Sequence, residues 1–588
     1  MYVFPSTVYV NPEGPGGEPD PLEAAKEIRA TFATMNMNDE ETVALIAGGH
    51  TFGKSHGAAP ASYQGELPEN APLENQGLGY TSSYKSGMAE DTITSGLEGA
   101  WTYEPTQWDN NYWENLFRYQ WECVKGPGGK WQWTPKDVEP NQKDAHIEGM
   151  FHKPMMFTTD IALKADPSYG EISTYFYNNP KKFHEAFAKA WFKLLHRDLG
   201  PSTRLLGPEV PPPQLFQDPI PELDHTVIND DDIETLKKEI LSSMEHVARK
   251  SGVHGGGIIS KVLGKSHNDD AINSLTPAHF IKTAWGSAST FRRTDYRGGA
   301  NGARIRFMPQ RQWEVNDPQD LDMVLTRLEE IQTKFNQDPP NIQANKRVSM
   351  ADLIVLAGCT GLEVAAQQAG HKNVSVPFAS GRMDAVEEQT DVDSFAFLEP
   401  AADGFRNYYN SSKTKTRPEE LLVDQAHKLS LTAPEMVVLV AGLRAVGATS
   451  GDSAVGVLTD QPGSLTNEYL LNLLSMDYKW EAMPHKKKGV VDVDDTTNSL
   501  YNGKIRSTGE DKWTASRVDL AIASQSELRA IAEFYACDDS AAVFVQDFIK
   551  AFVKVMELDR YDLQMSHIQD KQGNVLFGRG NRWFVLTK

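Results

Sequence analysis

The sequence predicts an all-α protein whose chain carries two copies of one helical scaffold, the first of them incomplete. Three observations carry this. Apolar residues recur at helical spacing inside blocks bounded by proline and glycine. No run alternates polar and apolar residues as a half-buried strand would. Short segments of residues 45–163 recur, in the same order, within residues 439–521.

The 588 residues exceed one ordinary core, and 40% of them are hydrophobic, which is enough to build several. The net charge of −22 disfavours a phosphate backbone as partner, so no nucleic acid is expected. No apolar run of 18 residues stands out, so no membrane span is expected either. The three cysteines, Cys123, Cys359 and Cys537, are far apart and form no CxxC pair, which argues against a disulfide framework or a zinc site. The first residues, MYVFPSTVYVNPEGPGG, lack a charged stretch followed by a long apolar one, so no secretory signal is read there.

Along the chain, Asn38 and Asp39 precede Glu40 and Glu41 and predict a helix start. The block after them, ETVALIAGGHTF, puts Val43, Ile46, Ala47 and His50 on one face. Residues 171–197 predict a helix pair, with Phe187, Ala190, Trp191, Leu194 and Leu195 on one stripe. MMFTTDIAL predicts another apolar helix, which carries Asp160. Residues 206–225 hold six prolines and are expected as a linker between residues 1–205 and 226–560. Residues 244–273, rich in glycine, histidine and lysine, are expected as an insert, and 561–588 as a separate tail.

The repeat pairs LIAGGHTFG (45–53) with LVAGLRAVG (439–447) and DNNYWENLF (109–117) with TNEYLLNLL (466–474). TTDIAL (158–163) has its counterpart in SRVDLA (516–521), Asp160 against Asp519. Across the copies His50 becomes Arg444 and Trp101 becomes Leu458, while apolar positions persist. One scaffold with its polar core group present once and lost once reads as a working copy beside a retired one.

A histidine on an apolar helix face is ordinarily a satisfied core residue. Here Gly48 and Gly49 precede His50 and Gly53 follows it, and small residues let a flat, bulky cofactor approach the backbone. A carboxylate at Asp160 is costly to bury alone, and a His50–Asp160 hydrogen bond would satisfy both groups and strengthen a metal ligand. Trp101 offers an oxidisable ring, against the plainer reading of core packing.

HTFGKSHG (50–57), with YVNPEGP (9–15) before it and WDN (108–110) and TTD (158–160) after it, resembles the haem catalase-peroxidases. These belong to class I of the plant-type peroxidase superfamily, and the resemblance runs from about Tyr9 to Arg560. It implies that His50 ligates the iron of haem b, with Asp160 and Trp101 as its proximal partners. It places Lys54 and His56 at the haem propionates and Ser95 near the haem edge. Tyr9 and Met35 match the tyrosine and methionine of the family's covalent Met-Tyr-Trp crosslink, and Arg197 matches its mobile arginine. The plainer reading of Arg197 is a surface ion pair with Asp198; of Lys54 and His56, solvent exposure.

The family's distal R-x-x-W-H helix has no match before Tyr9. Its nearest likeness, KTAWGSASTFR (282–292), carries Lys282 and Gly286 at the arginine and histidine positions and falls in the second copy. The first domain is therefore expected to be N-terminally truncated, and the break, the insert and the tail are read as misplaced exon boundaries. Two peroxidase-like domains are expected, the second without haem. The implied activity is peroxide decomposition to water and oxygen, with oxidation of small organic electron donors by peroxide, in a cytoplasmic homodimer. The alternative is a haem-free, inactive structural or interaction fragment.

Overall fold

The computed structural model describes residues 10–66, 70–75, 81–205, 209–250, 275–483, 500–566, 576–579 and 582–585. The chain divides into two compact units, residues 1–196 and 197–588. Both are helical.

In the first unit Pro21–Thr34 (α1) starts on Asp20, whose carboxylate accepts the backbone N–H groups of Leu22 and Glu23. Asp39–His50 (α2) starts on the expected cap: Asn38 accepts from Glu41 N, and the Glu41 carboxylate accepts from Asn38 N. Asn111–Arg118 (α3) buries Tyr112, Trp113 and Leu116. Thr158–Ala165 (α4), Pro167–Asn178 (α5) and Pro180–His196 (α6) complete the helices. One core joins α1, α2, α3, α4 and α5 through Ile28, Val43, Tyr112, Ala162 and Phe176.

The helix pair over 171–197 is present as α5 and α6, but its stripe is narrower than expected. Ala190 is buried and Leu194 half-buried, whereas Trp191 and Leu195 are exposed, because α6 meets α2 through Phe187, Ala190, Leu194 and a Lys193–Glu41 ion pair.

Strands also occur, against the expectation of none. Trp121–Lys125 (β1) pairs antiparallel with Trp131–Pro135 (β2), closed by a Gly-Pro-Gly-Gly turn in which Gly129 has φ 76°. Two-residue strands Gln142–Lys143 (β3) and Phe151–His152 (β4) also pair. The second unit has a three-stranded sheet of Tyr478–Ala482, Tyr501–Ile505 and Asp511–Ala515. These strands are five residues or shorter and rich in aromatics, so no long alternation marks them. The class remains all-α.

The second unit is built round Met350–Gln368 and Ala433–Ala445, which share a core with Pro277–Ala288 and Ala541–Met556. Met350–Gln368 is long and apolar enough to cross a membrane by length and composition, although Asp352 and Glu363 interrupt its apolar run. It buries Leu353, Leu356, Cys359 and Leu362 in the core, as a central helix of a folded unit does.

The described part of the proline-rich stretch belongs to the second unit. Phe216 and Gln217 are buried there, and Asp218 pairs with Arg297 at 2.6 Å. Of the expected insert, 244–250 continues the helix Asp230–Lys250 and 251–274 lies outside the described residues. Tyr561, the first residue of the expected tail, is buried.

Candidate functional site

His50 is the last residue of α2, and Asp160 lies in the first turn of α4. A helix N-terminus favours negative charge, so α4 is a suitable seat for a carboxylate. The β1–β2 hairpin fixes that seat. Trp133 and Met156 exchange backbone hydrogen bonds of 2.8 and 2.9 Å, and Trp133 Nε1 donates to Thr158 Oγ1 at 3.0 Å.

Asp160 has no exposed surface and takes four donors. His50 Nδ1 lies 2.7 Å from Oδ1, and Tyr112 OH donates to the same oxygen at 2.8 Å. Trp101 Nε1 and the Phe157 backbone N–H each donate to Oδ2 at 2.7 Å. A carboxylate can only accept, so a neutral His50 ring carries its proton on Nδ1 and its lone pair on Nε2. Nε2 has no hydrogen-bond partner among the described residues, and the side chain keeps 26% of its surface open.

Trp101 stacks on His50 with ring centres 4.1 Å apart and planes 16° from parallel. Phe157 packs edge-on against both rings, 5.5 Å from His50 and 5.0 Å from Trp101. The backbone holds Trp101 there: Ser55 and Gly99 exchange hydrogen bonds, Met155 N donates to Ala100 O, and Thr102 Oγ1 donates to Thr51 O.

The glycines round His50 differ in the space beside them. A Cβ at Gly49 would meet nothing within 4 Å, and likewise at Gly53. Gly48 leaves no such space, contrary to the sequence reading. A Cβ there would lie 2.0 Å from Phe187, so its smallness lets α6 pack on α2. The repeat separates the two roles. Gly48 is matched by Gly442, where a Cβ would meet Phe548 at 2.2 Å, whereas Gly49 is matched by Leu443, which is fully buried.

The remaining expected residues fall in three places. Lys54 forms an ion pair with Glu98, and Glu98 also accepts Gly57 N at 2.7 Å. His56 is held below the usual imidazole range by burial and by the Lys54 charge. Ser95 Oγ shares a hydrogen bond with Ser55 Oγ. Met35 caps the end of α1 and packs beside Met37, Leu45 and Ala190, away from this cluster. Arg197 opens the second unit, and its Nε has no hydrogen-bond partner among the described residues. Tyr9 lies outside the described residues.

Tyr112 escaped the sequence reading. Burial, with the Asp160 charge beside it, pushes its phenol well above the usual range, so it stays a donor. The signal was available in the repeat, which keeps a tyrosine at 112 and 469.

In the second unit Asp519 Oδ1 accepts Tyr469 OH at 2.8 Å, and Asp519 Oδ2 accepts Ser516 N at 2.8 Å. Arg444 takes the histidine's place. Its Nε donates to Asp519 at 3.3 Å, and its two terminal nitrogens donate to the carbonyls of Phe405 and Gly404 at 2.7 and 2.9 Å. A guanidinium has no lone pair to offer a metal. In the helix Pro277–Ala288, Lys282 pairs with Asp317 and Asp320, and a Cβ at Gly286 would meet Asn316 and Arg406 within 3 Å.

The peroxidase family profile matches residues 5–179 and 260–538. The chain is 52% identical over 559 residues to a catalase-peroxidase of Hahella chejuensis, covering 95% of this chain and 71% of that protein. A catalase-peroxidase of Rhodopirellula baltica is 51% identical over 571 residues, 96% of this chain and 61% of its own length. One of Symbiobacterium thermophilum is 52% identical over 559 residues, 95% and 71%.

Proposed function

The chain belongs to the peroxidase family and within it to the catalase-peroxidases, and from that premise we propose that it is an oxidoreductase acting on hydrogen peroxide, with haem b ligated by His50 Nε2. It decomposes peroxide to water and oxygen and oxidises small organic donors with peroxide. One observation carries the ligand assignment: a part-exposed imidazole whose Nδ1 is fixed on a fully buried carboxylate while Nε2 has no partner among the described residues.

Haem, when bound, supplies the redox chemistry of peroxide. The protein's own work is to hold the ligand. Asp160 fixes the imidazole tautomer and raises the basicity of Nε2, and Tyr112, Trp101 and Phe157 N fix Asp160 in turn. Trp101, stacked on the ligand, prevents its rotation and excludes water from the Asp160 side. Lys54 and His56 lie on the loop after α2, where propionates would find a cation and an imidazole; Lys54 would then be shared with Glu98. Ser95, bonded to Ser55 on the same loop, is assigned to the haem edge.

The catalase half of the reaction is given to Tyr9, Met35 and Arg197 on the family resemblance. The unpartnered Nε of Arg197 suits a guanidinium that changes partners. The second unit is assigned no haem, since Arg444 and Leu443 fill the corresponding place. A homodimer in the cytoplasm completes the reading; its support there is three free cysteines.

Haem reconstitution of the purified chain tests this. A histidine-ligated Soret spectrum that is lost in His50→Ala, with oxygen release from peroxide, is the expected result. A chain that takes up no haem would instead favour a haem-free interaction role.

A further inference from the structure

The second unit holds a cavity of about 70 Å³. Its lining includes Arg304, Asp559, Tyr561 and Tyr296, with Pro219 and Ile220 as apolar wall. Arg304, Asp559 and Tyr561 are 5, 8 and 9% exposed.

Two of these groups are only half satisfied. Arg304 Nη2 donates to the carbonyls of Pro219 and Gln389 at 2.6 and 3.2 Å, yet its Nε has no partner among the described residues. Asp559 Oδ2 accepts Asn301 N at 2.6 Å, yet its Oδ1 has no partner among them. Buried polar atoms are nearly always paired, because burying one unpaired forfeits its bonds to water. Arg304 and Asp559, each with one unpaired polar atom, both line one cavity. The pocket exceeds the ~30 Å³ that a water molecule occupies in the liquid.

Charge selects among occupants. An anion would meet the Asp559 carboxylate and a cation the Arg304 guanidinium. Asp218, also in the wall, is already neutralised by Arg297 at 2.6 Å. A small uncharged molecule with an acceptor for Arg304 Nε–H and a donor for Asp559 Oδ1 satisfies both. A primary carboxamide presents those two functions on one planar edge, and the ring of Tyr296 and the proline wall suit a flat group. Arg204 braces this wall, with its guanidinium 3.6 Å from the Tyr296 ring centre and 4.7 Å from that of Tyr561.

We propose that this cavity is a binding site for a small neutral carboxamide-class molecule held between Arg304 and Asp559. The probe is acetamide, read by saturation-transfer NMR on the full chain, with or without haem. Saturable binding in the millimolar range is expected for the unaltered chain. Ile220→Phe, which fills the pocket without touching either polar group, should weaken it about ten-fold or more while the thermal unfolding curve is kept. Tyr561→Phe serves as the second variant should Ile220→Phe fail to fold; it should weaken binding by a smaller factor. Equal acetamide binding in the unaltered and cavity-filled chains overturns the proposal. So does a crystal soaked in acetamide that holds ordered water only on Arg304 Nε and Asp559 Oδ1. Neither readout depends on peroxide turnover, so the proposed activity and this site can fail separately.

Discussion

Tyr112 and Tyr469 each donate a phenolic hydrogen bond of 2.8 Å to a fully buried aspartate, Asp160 in the first unit and Asp519 in the second. The likeness extends to the neighbouring chain. Asn115 Nδ2 donates to Trp101 O and Asn472 Nδ2 to Leu458 O, both at 2.9 Å. Two units thus share a frame of aspartate, tyrosine and asparagine. They differ where His50, Trp101 and Gly49 give way to Arg444, Leu458 and Leu443. The frame belongs to the scaffold; the three differing positions are the ones the proposed function assigns to haem binding.

Tyr112→Phe should therefore be a stability change first. It removes one of four donors to Asp160 and leaves a buried lone pair unfilled, a cost of about 1–3 kcal/mol. Tyr469→Phe should cost a similar amount. Only the first should also shift the spectrum of the haem-loaded chain, because only it acts on the imidazole's partner. Denaturant unfolding and the Soret band of the two variants check this.

Asp160→Asn should damage function more than its size suggests. The amide offers one acceptor and a donor pair to a nest of four donors, so at least two donors face each other. The His50 tautomer is no longer fixed. Peroxidase turnover should fall about 10–100-fold, the usual effect of losing a ligand's carboxylate partner. Unchanged turnover with haem bound would show that the Nδ1 contact does not tune the ligand.

Arg444→Leu should destabilise the second unit by about 3–5 kcal/mol. It strands a buried carboxylate at Asp519 and frees the carbonyls of Gly404 and Phe405. Arg444→Leu together with Asp519→Leu should recover much of that loss, since removing both partners spares the uncompensated charge. Urea unfolding of the single and double variants gives the comparison; an Arg444→Leu chain as stable as the parent would mean that the pair contributes nothing.

Much of this site was legible in the sequence, for physical reasons. A histidine after two glycines and an aspartate inside an apolar helix are both anomalies of burial, and anomalies draw attention. Trp101 was singled out by the repeat, where leucine replaces it, but its place beside the ligand came only with the resemblance, because a tryptophan in a loop has no local mark. Tyr112 was missed because it sits on an amphipathic helix, where an aromatic reads as core; its hydroxyl acts on a residue 48 positions away. The short hairpin of β1 and β2 was missed as well, although Gly-Pro-Gly-Gly between two Trp-rich segments is a turn signal. The stripe on α6 was read too wide, since helical spacing gives an apolar face but not how much of it a neighbour covers.

Acid should weaken the first unit partly through Asp144. Burial raises its carboxyl, but the backbone N–H groups of His146 and Ile147 and the His152 ring outweigh burial and hold it at about 2. Below the ordinary carboxylate range the unfolded chain takes up this proton before the folded chain does. The stabilisation is therefore complete above that range and lost as pH falls toward 2. Asp144→Asn should remove that part of the slope, so the urea midpoints of parent and variant should differ at pH 5 and converge near pH 2. A constant difference across this range would rule out Asp144 as its source.

The three cysteines should react in a fixed order with iodoacetamide at pH 8. Cys537 is exposed and should be modified first. Cys123 is half-buried, and burial raises its thiol, so it should follow more slowly. Cys359, 1% exposed, has its thiol pushed up to about 12 by burial and should stay unmodified until the second unit unfolds. Its position makes the measurement informative beyond reactivity. Cys359 lies midway along Met350–Gln368, the helix long and apolar enough to span a membrane, and is covered on the structure by its own unit's core. Protection of Cys359 in detergent-free buffer, released together with global unfolding, is what a core helix requires. Labelling at the rate of Cys537 would mean that this helix leaves the core.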